Sequence, residues 1–219
     1  MIKKHLILFF VLCVFAIAIY WPKANSEFVL DDYYTVVHNP LIKQPDLYPK
    51  IWQSRLFDAH KSSAYLKLVY YRPVLESSFI VDYNLFGLNP MGYKWVNVMI
   101  HLLNAVLIYI LCLLLFYAYP LAFKTSVLFL IFPLHEWVVR YVTGRGDSLQ
   151  TFFGLAFLIF LVKGFKGPFK RWYFYAAICL VLSALTREFG YLMPLYGLLV
   201  FYTYTLILKP VRVALFWMM

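Results

Sequence analysis

Two carboxylates stand side by side in Phe28-Val-Leu-Asp31-Asp32-Tyr-Tyr34, about ten residues beyond the first apolar run of the chain. Adjacent like charges raise each other's pKa, and such a pair persists where something positive, a metal ion or a substrate group, neutralises it. Taken alone, a pair of aspartates is equally a solvated acidic patch in a loop. Three later motifs also place charge against apolar sequence: His135-Glu136, Arg145-Gly-Asp147 and Arg187-Glu188. The last two are equally neutralising pairs where helices meet, so their meaning depends on where the chain puts them.

The elements that must position these residues are membrane helices. The 219 residues are 63% hydrophobic, with mean hydropathy +0.73 and only 14% charged residues. A soluble domain carries roughly 25% charged residues, so this composition implies an all-α polytopic membrane protein. The net charge of +10 would point to nucleic acid in a soluble protein; here it reads as basic loops on one side of a bilayer, with no nucleic-acid partner. Cys13, Cys112 and Cys179 all lie within apolar runs and imply no disulfide framework.

Residues 1–21 have the layout of a signal sequence, with Lys3, Lys4 and His5 before an apolar run and a weak small-residue pattern at Ala16-Ile-Ala18. We read this segment as a retained signal anchor and first membrane helix. Residues 22–94 form a large polar loop with prolines at 22, 40, 45, 49, 73 and 90 and seven of the ten acidic residues. One or two short interfacial helices are expected in it. Pro73–Phe86 fits best, with proline in its first turn and Gly87 just past its end. Residues 95–219 hold five further apolar helices, at Trp95–Tyr119, Leu121–Val139, Leu149–Val162, Trp172–Leu185 and Tyr191–Leu208. The expectation is thus about six transmembrane helices, several of them shorter than the ~20 residues of a full span and ending in polar motifs.

Threading these helices alternately tests orientation. With the N-terminus cytoplasmic, Lys3, Lys4, Lys124, Lys163, Lys166, Lys170, Arg171, Lys209 and Arg212 face inward, and all ten acidic residues fall on the opposite side or at that end of a helix. That distribution obeys the positive-inside rule. It also gathers Asp31, Asp32, His135, Glu136, Arg145, Asp147, Arg187 and Glu188 at the outer face, where charges near membrane depth mark a functional site. A transporter or channel would carry its polar groups through the midplane instead. No Asn-x-Ser/Thr glycosylation sequence is present, which points to a bacterial inner membrane, the large loop then being periplasmic rather than lumenal.

The ordered motifs resemble a known family. Phe28-Val-Leu-Asp-Asp32, His38-Asn-Pro-Leu-Ile42, Tyr71-Arg-Pro-Val74 and Leu85-Phe-Gly-Leu-Asn-Pro-Met-Gly-Tyr93 come first. Asn97, His101, Asn104 and Ala105 follow, then Pro133-Leu-His135, Thr143-Gly-Arg-Gly-Asp147 and Thr186-Arg-Glu188. Together they are similar to the GT-C superfamily of membrane glycosyltransferases, within it the protein O-mannosyltransferase-like group that includes the transmembrane and tetratricopeptide-repeat (TMTC) proteins. The resemblance implies a GT-C-like fold, truncated to its N-terminal half, because such proteins carry about twice as many membrane helices. It also implies transfer of a sugar from a polyprenyl- or dolichyl-phosphate carrier to a protein or glycan acceptor on the outer side. On this resemblance Asp31 and Asp32 serve as base or as ligands of a divalent metal such as Mg or Mn. His135 and Glu136 join the catalytic set, and Arg72, Arg145, Asp147, Arg187 and Glu188 bind substrate. Guanidinium groups match a phosphate in bidentate geometry, which suits the arginines to the lipid phosphate.

The chain also departs from the family pattern, having Phe132 and Lys94 where histidine is usual and Trp137 where a glutamate is usual. With the short length and the 19 Tyr, 21 Phe and 6 Trp that suit protein or lipid interfaces, these departures define the alternative. That alternative is a catalytically inactive scaffold derived from the same fold and packed with other membrane subunits.

Overall fold

The computed structural model describes residues 2–21, 26–53 and 70–208. Pro22 and Asp58 of the polar loop, and Lys209 and Arg212 of the inward set, lie outside the described residues. The described chain is helical throughout, with no strand among the described residues.

Helix α1 (Ile2–Tyr20) buries Leu8, Leu12, Ala16 and Tyr20, one residue per four, while Leu6, Phe9, Phe10 and Ile17 stay exposed. A helix apolar all round suits burial on one side and lipid on the other. After it come a π turn at Tyr33–Val37 and two 3₁₀ segments, Pro40–Ile42 and Pro45–Trp52. Helix α2 (Pro73–Phe86) occupies the range expected of the interfacial helix; Gly87 ends it at φ 59°, a left-handed conformation that glycine adopts without steric cost. Helix α3 (Pro90–Phe116) is capped by the Asn89 side chain, which accepts from the Met91 N–H at 3.1 Å.

The apolar run 121–139 does not form one helix, as its composition led us to expect. Helix α4 (Tyr119–Ile131) stops at Phe132, whose ψ of 121° is extended, and α5 (His135–Arg140) begins anew after Pro133. Proline lacks an N–H and forces the preceding residue out of the helical region, which explains the break. Helix α6 (Arg145–Lys166) starts four residues earlier than the apolar run implied, so Arg145 and Asp147 lie in a helical first turn rather than in a loop. Helix α7 (Arg171–Thr186) ends where Arg187 is extended (φ −160°, ψ 152°); a 3₁₀ turn, Glu188–Leu192, leads into α8 (Met193–Tyr202) and a terminal π segment to Leu208.

Three helices are long and apolar enough to cross a bilayer, Pro90–Phe116, Arg145–Lys166 and Glu188–Leu206, which makes this a helical membrane protein. His5–Tyr20, Tyr119–Ile131 and Arg171–Thr186 are apolar but shorter. Helix directions alternate, because contacts pair the ends accordingly. Tyr20 donates to the Leu130 carbonyl at 2.9 Å near the end that carries the acidic loop, and His5 meets the Tyr109 hydroxyl at 2.7 Å toward the other.

Two cores result. One lies within the bundle, where α1 packs on α3 and α4 through Leu12, Leu102, Ala105 and Leu130. The other lies above it and fastens the first loop onto α2 and the start of α3 through Val36, Ile42, Ile51, Leu75, Phe79 and Tyr93. The α7–α8 corner is held by Gly190, where an added Cβ would meet the Ser183 backbone carbon and oxygen at 2.4 Å. Because those neighbours are backbone, Gly190→Ala is expected to cost about 1–3 kcal/mol, read as a lower thermal midpoint in detergent.

Candidate functional site

The two aspartates part company. Leu30 sits in the left-handed region (φ 49°), an uncommon conformation for a residue with a side chain, at the turn where Asp31 is exposed and Asp32 is buried. Asp32 is fully buried. Its Oδ1 accepts from the Thr143 N–H at 2.9 Å and the Thr143 hydroxyl at 2.6 Å, and its Oδ2 from the Val29 N–H at 3.1 Å. Burial pushes the Asp32 carboxyl above its ordinary range, while these donors pull it back. The Asp31 side chain is exposed and makes no hydrogen bond or ion pair among the described residues; only its backbone N–H is engaged, donating to the Tyr141 hydroxyl at 3.0 Å. Burial raises the Tyr141 phenol to about 12, so it keeps its proton at neutral pH. A cleft of about 490 Å³ opens beside this turn, walled by Val29, Leu134, Glu136, Trp137, Arg140 and Tyr141.

Arg145 lies elsewhere. It is 0% exposed, pairs through Nη2 with Asp82, and donates to Asn97 Oδ1 at 2.8 Å and the Tyr93 carbonyl at 3.0 Å. Burial pushes the Asp82 carboxyl up, and the guanidinium opposes that shift. Arg145 is thus enclosed where α2, α3 and α6 meet.

The other two basic candidates form a part-exposed cluster of ion pairs. Arg72 holds Glu188 through two bonds, at 2.9 and 2.6 Å, and Arg187 holds Asp147 at 2.5 Å. Below Asp147 an apolar groove of about 400 Å³ runs between α6 and α8, lined by Gly154, Leu155, Leu158, Leu192, Met193 and Tyr196 among others. Gly154 leaves room for the Met193 thioether, whose Sδ would lie 2.6 Å from a Cβ there.

Helix α5 stands between the cleft and the cluster. Glu136 and Arg140 pair along it at 3.0 Å and face the cleft beside Asp31. His135 faces the other way, its Nδ1 on the Phe129 carbonyl at 2.8 Å and its ring 5.1 Å from that of His101. The candidates therefore fall into two groups on either side of α5, with Arg145 in neither; no contact joins Asp31 to Arg72, Arg145 or Arg187 among the described residues. A divalent ion finds no matching donor set: Asp32 is committed to three hydrogen bonds, and no group of three His, Cys, Asp or Glu side chains gathers for a metal among the described residues.

Sequence reasoning gave no role to Thr143, Tyr141 or Asp82, the residues that decide the fates of Asp31, Asp32 and Arg145. Thr143 carried a faint signal, a hydroxyl residue two positions ahead of a charged helix start.

The fold and site define a helical membrane protein with one buried and one free aspartate in its first polar loop. By sequence the chain is a relative of the protein O-mannosyl-transferases of the TMTC group. It is 32% identical over 169 residues to a protein O-mannosyl-transferase of Caenorhabditis elegans, an alignment covering 76% of this chain and 24% of that protein. It is 34% identical over 149 residues to mouse protein O-mannosyl-transferase TMTC1 (64% of this chain, 15% of the relative) and 29% identical over 163 residues to human TMTC3 (69% and 16%). The chain thus spans about a quarter or less of the length of these curated relatives. No protein-family profile and no solved structure matches it.

Proposed function

We propose that the chain forms part of a GT-C-type glycosyltransferase that moves a mannosyl group from a polyprenyl- or dolichyl-phosphate carrier to an acceptor hydroxyl. The observation that carries this reading is the split between the aspartates: a carboxylate exposed beside a cleft, held in place by a buried neighbour, is what a general base requires. Asp31 takes the proton of the acceptor hydroxyl, whose oxygen bonds to the anomeric carbon. The bond from that carbon to the lipid phosphate breaks, and the phosphate leaves with the electron pair. Arg187 and Arg72, across α5 from Asp31 in this structure, meet that phosphate once α5 shifts to bring the two groups to one sugar, exchanging part of their contact with Asp147 and Glu188, while the isoprenoid tail follows the α6–α8 groove. The protein hydroxyl as acceptor and mannose as sugar follow the names of the relatives.

In this reading α1, α3, α4, α6, α7 and the α8 segment cross the bilayer alternately with the N-terminus cytoplasmic. The animal relatives favour a lumenal over a periplasmic outer side, in place of the bacterial inner membrane. The scaffold alternative draws on one observation: Arg72, Arg140, Arg145 and Arg187 are each matched to a carboxylate, as in a site retired from substrate binding.

Arg187→Ala separates the two. Donor binding predicts at least about tenfold weaker affinity for polyprenyl-phosphate mannose in lipid nanodiscs, from loss of a charge-assisted contact, with a thermal midpoint close to that of the wild type. A large drop in midpoint with affinity intact would instead make Arg187 a structural pair and favour the scaffold.

A further inference from the structure

The turn between α6 and α7 carries four cations in nine residues, Lys163, Lys166, Lys170 and Arg171. Helix α6 spans 22 residues, about 33 Å of rise, so this turn stands a bilayer's hydrocarbon thickness from Asp147. The nearest acidic residues in sequence, Asp147 and Glu188, stand at the far ends of the two helices. Lys163, Lys170 and Arg171 make no ion pair among the described residues, whereas Arg72, Arg140, Arg145 and Arg187 at the other end are each matched to a carboxylate. The turn therefore holds positive charge that the described fold does not neutralise.

Aromatic rings, not carboxylates, order these cations. Lys163 Nζ lies 4.8 Å from the centre of the Trp172 ring and 5.9 Å from that of Phe160; the Arg171 guanidinium lies 5.3 Å from Trp172 and 4.7 Å from Phe169. Phe160 and Trp172 stack with centroids 5.9 Å apart, so one aromatic pair spaces a cation of α6 from a cation of α7. Lys166 is spent on the fold, donating to the Leu114 carbonyl near the end of α3 and standing 4.5 Å from the centre of the Tyr117 ring. A cation over a ring face keeps most of its N–H donors for another partner, and a phosphate takes them well. Long basic side chains interleaved with Trp, Tyr and Phe are the composition of the headgroup level. Helix α7 has 16 residues, fewer than a full span, so cations at its start must extend along their stems to reach that level.

We infer that the α6–α7 turn is a binding site for the headgroup phosphate of an anionic phospholipid, held by Lys163 and Arg171 beside the Trp172 ring with Lys170 at its rim. In the orientation proposed above this end faces the cytoplasmic leaflet, whose surface is negative. The bound lipid seats the α6–α7 hairpin at headgroup level. The same two helices carry Asp147 and Arg187 at their other ends, so the depth of the hairpin sets the height of that ion pair. The site takes its lipid from the leaflet opposite the one beside Asp31 and is independent of mannosyl transfer.

The test places the full-length protein in nanodiscs of phosphatidylcholine and of a phosphatidylcholine–phosphatidylserine mixture, and reads retained phosphatidylserine by native mass spectrometry beside the thermal midpoint. Wild type should retain phosphatidylserine and melt higher in the mixture. Lys170→Gln and Arg171→Gln, both at exposed positions, should each weaken retention about fivefold with the midpoint in phosphatidylcholine unchanged, and the charge-conserving Arg171→Lys should keep most of it. Lys124→Gln is the control for surface charge, because it removes an exposed cation from α4, a helix packed on α1 and α3. Equal weakening by Lys124→Gln, or none by either turn variant, overturns the site and leaves only diffuse attraction to a charged bilayer. Inorganic phosphate that raises the midpoint in phosphatidylcholine as far as phosphatidylserine does also overturns it, since the ligand is then a free anion.

Discussion

Asp31→Asn is expected to lower mannosyl transfer by about 10²–10⁴-fold, the contribution of a positioned general base, while leaving the fold intact. The Asp31 carboxylate is exposed and bonded to nothing among the described residues, so its loss should shift stability by no more than about 0.5 kcal/mol. Its neighbour should behave in the opposite way. Asp32→Asn removes a carboxylate that accepts from Thr143 twice and from Val29 once, and charge-assisted bonds of this kind are each worth about 1.5–3 kcal/mol. Measured side by side, transfer rate should separate the first variant from wild type, and thermal midpoint the second. Were Asp31→Asn to unfold the protein, or to transfer mannose at the wild-type rate, the exposed carboxylate would not be the base.

The largest stability effect is expected at the buried pair. Asp82→Asn leaves the Arg145 guanidinium, 0% exposed, without its counter-charge, and breaking one partner of a buried pair costs about 3–5 kcal/mol. Unfolding in denaturant, followed by helical circular dichroism, should show the loss. Arg145→Met combined with Asp82→Leu should recover part of it, because an apolar pair of similar volume often replaces a buried ion pair at little cost, whereas Asn97 and the Tyr93 carbonyl lose their donor. If Asp82→Asn kept full stability and lost donor affinity instead, Arg145 would be the phosphate-binding residue that the family resemblance implied.

These two cases mark what the sequence could and could not disclose. The helix at Pro73–Phe86 was legible because its signals, a proline at the start and a glycine at the end, are local. So was the helical membrane class, which composition alone carries, with three helices long enough to span. The break at Phe132-Pro133 was equally local but was outweighed in reading by the apolar run around it. Arg145 could not be assigned, because its partner lies 63 positions earlier in the chain and on another helix. Which aspartate is free was beyond the sequence for the same reason: it turns on Thr143, 111 positions away, and on a left-handed Leu30 that no propensity predicts. Charge and topology gathered the candidate residues at one face, and the structure divides them between two sides of α5 with Arg145 apart.

The short segment Tyr141–Gly144 fastens onto both neighbours at once. Its Tyr141 hydroxyl and Thr143 side chain grip the acidic turn, and the carbonyls of Tyr141 and Val142 are held by Asn97 of α3 at 2.9 and 3.3 Å. Mechanically this makes the segment a shared hinge pin. The C-terminal end of α5 cannot swing without carrying the Asp31 backbone and the Asp32 carboxylate along, and α3 anchors the pivot. Helix α5 also walls the cleft through Glu136, Trp137 and Arg140 and a second pocket beside His101 through His135 and Val138, so any displacement of α5 reaches both pockets and the acidic turn together.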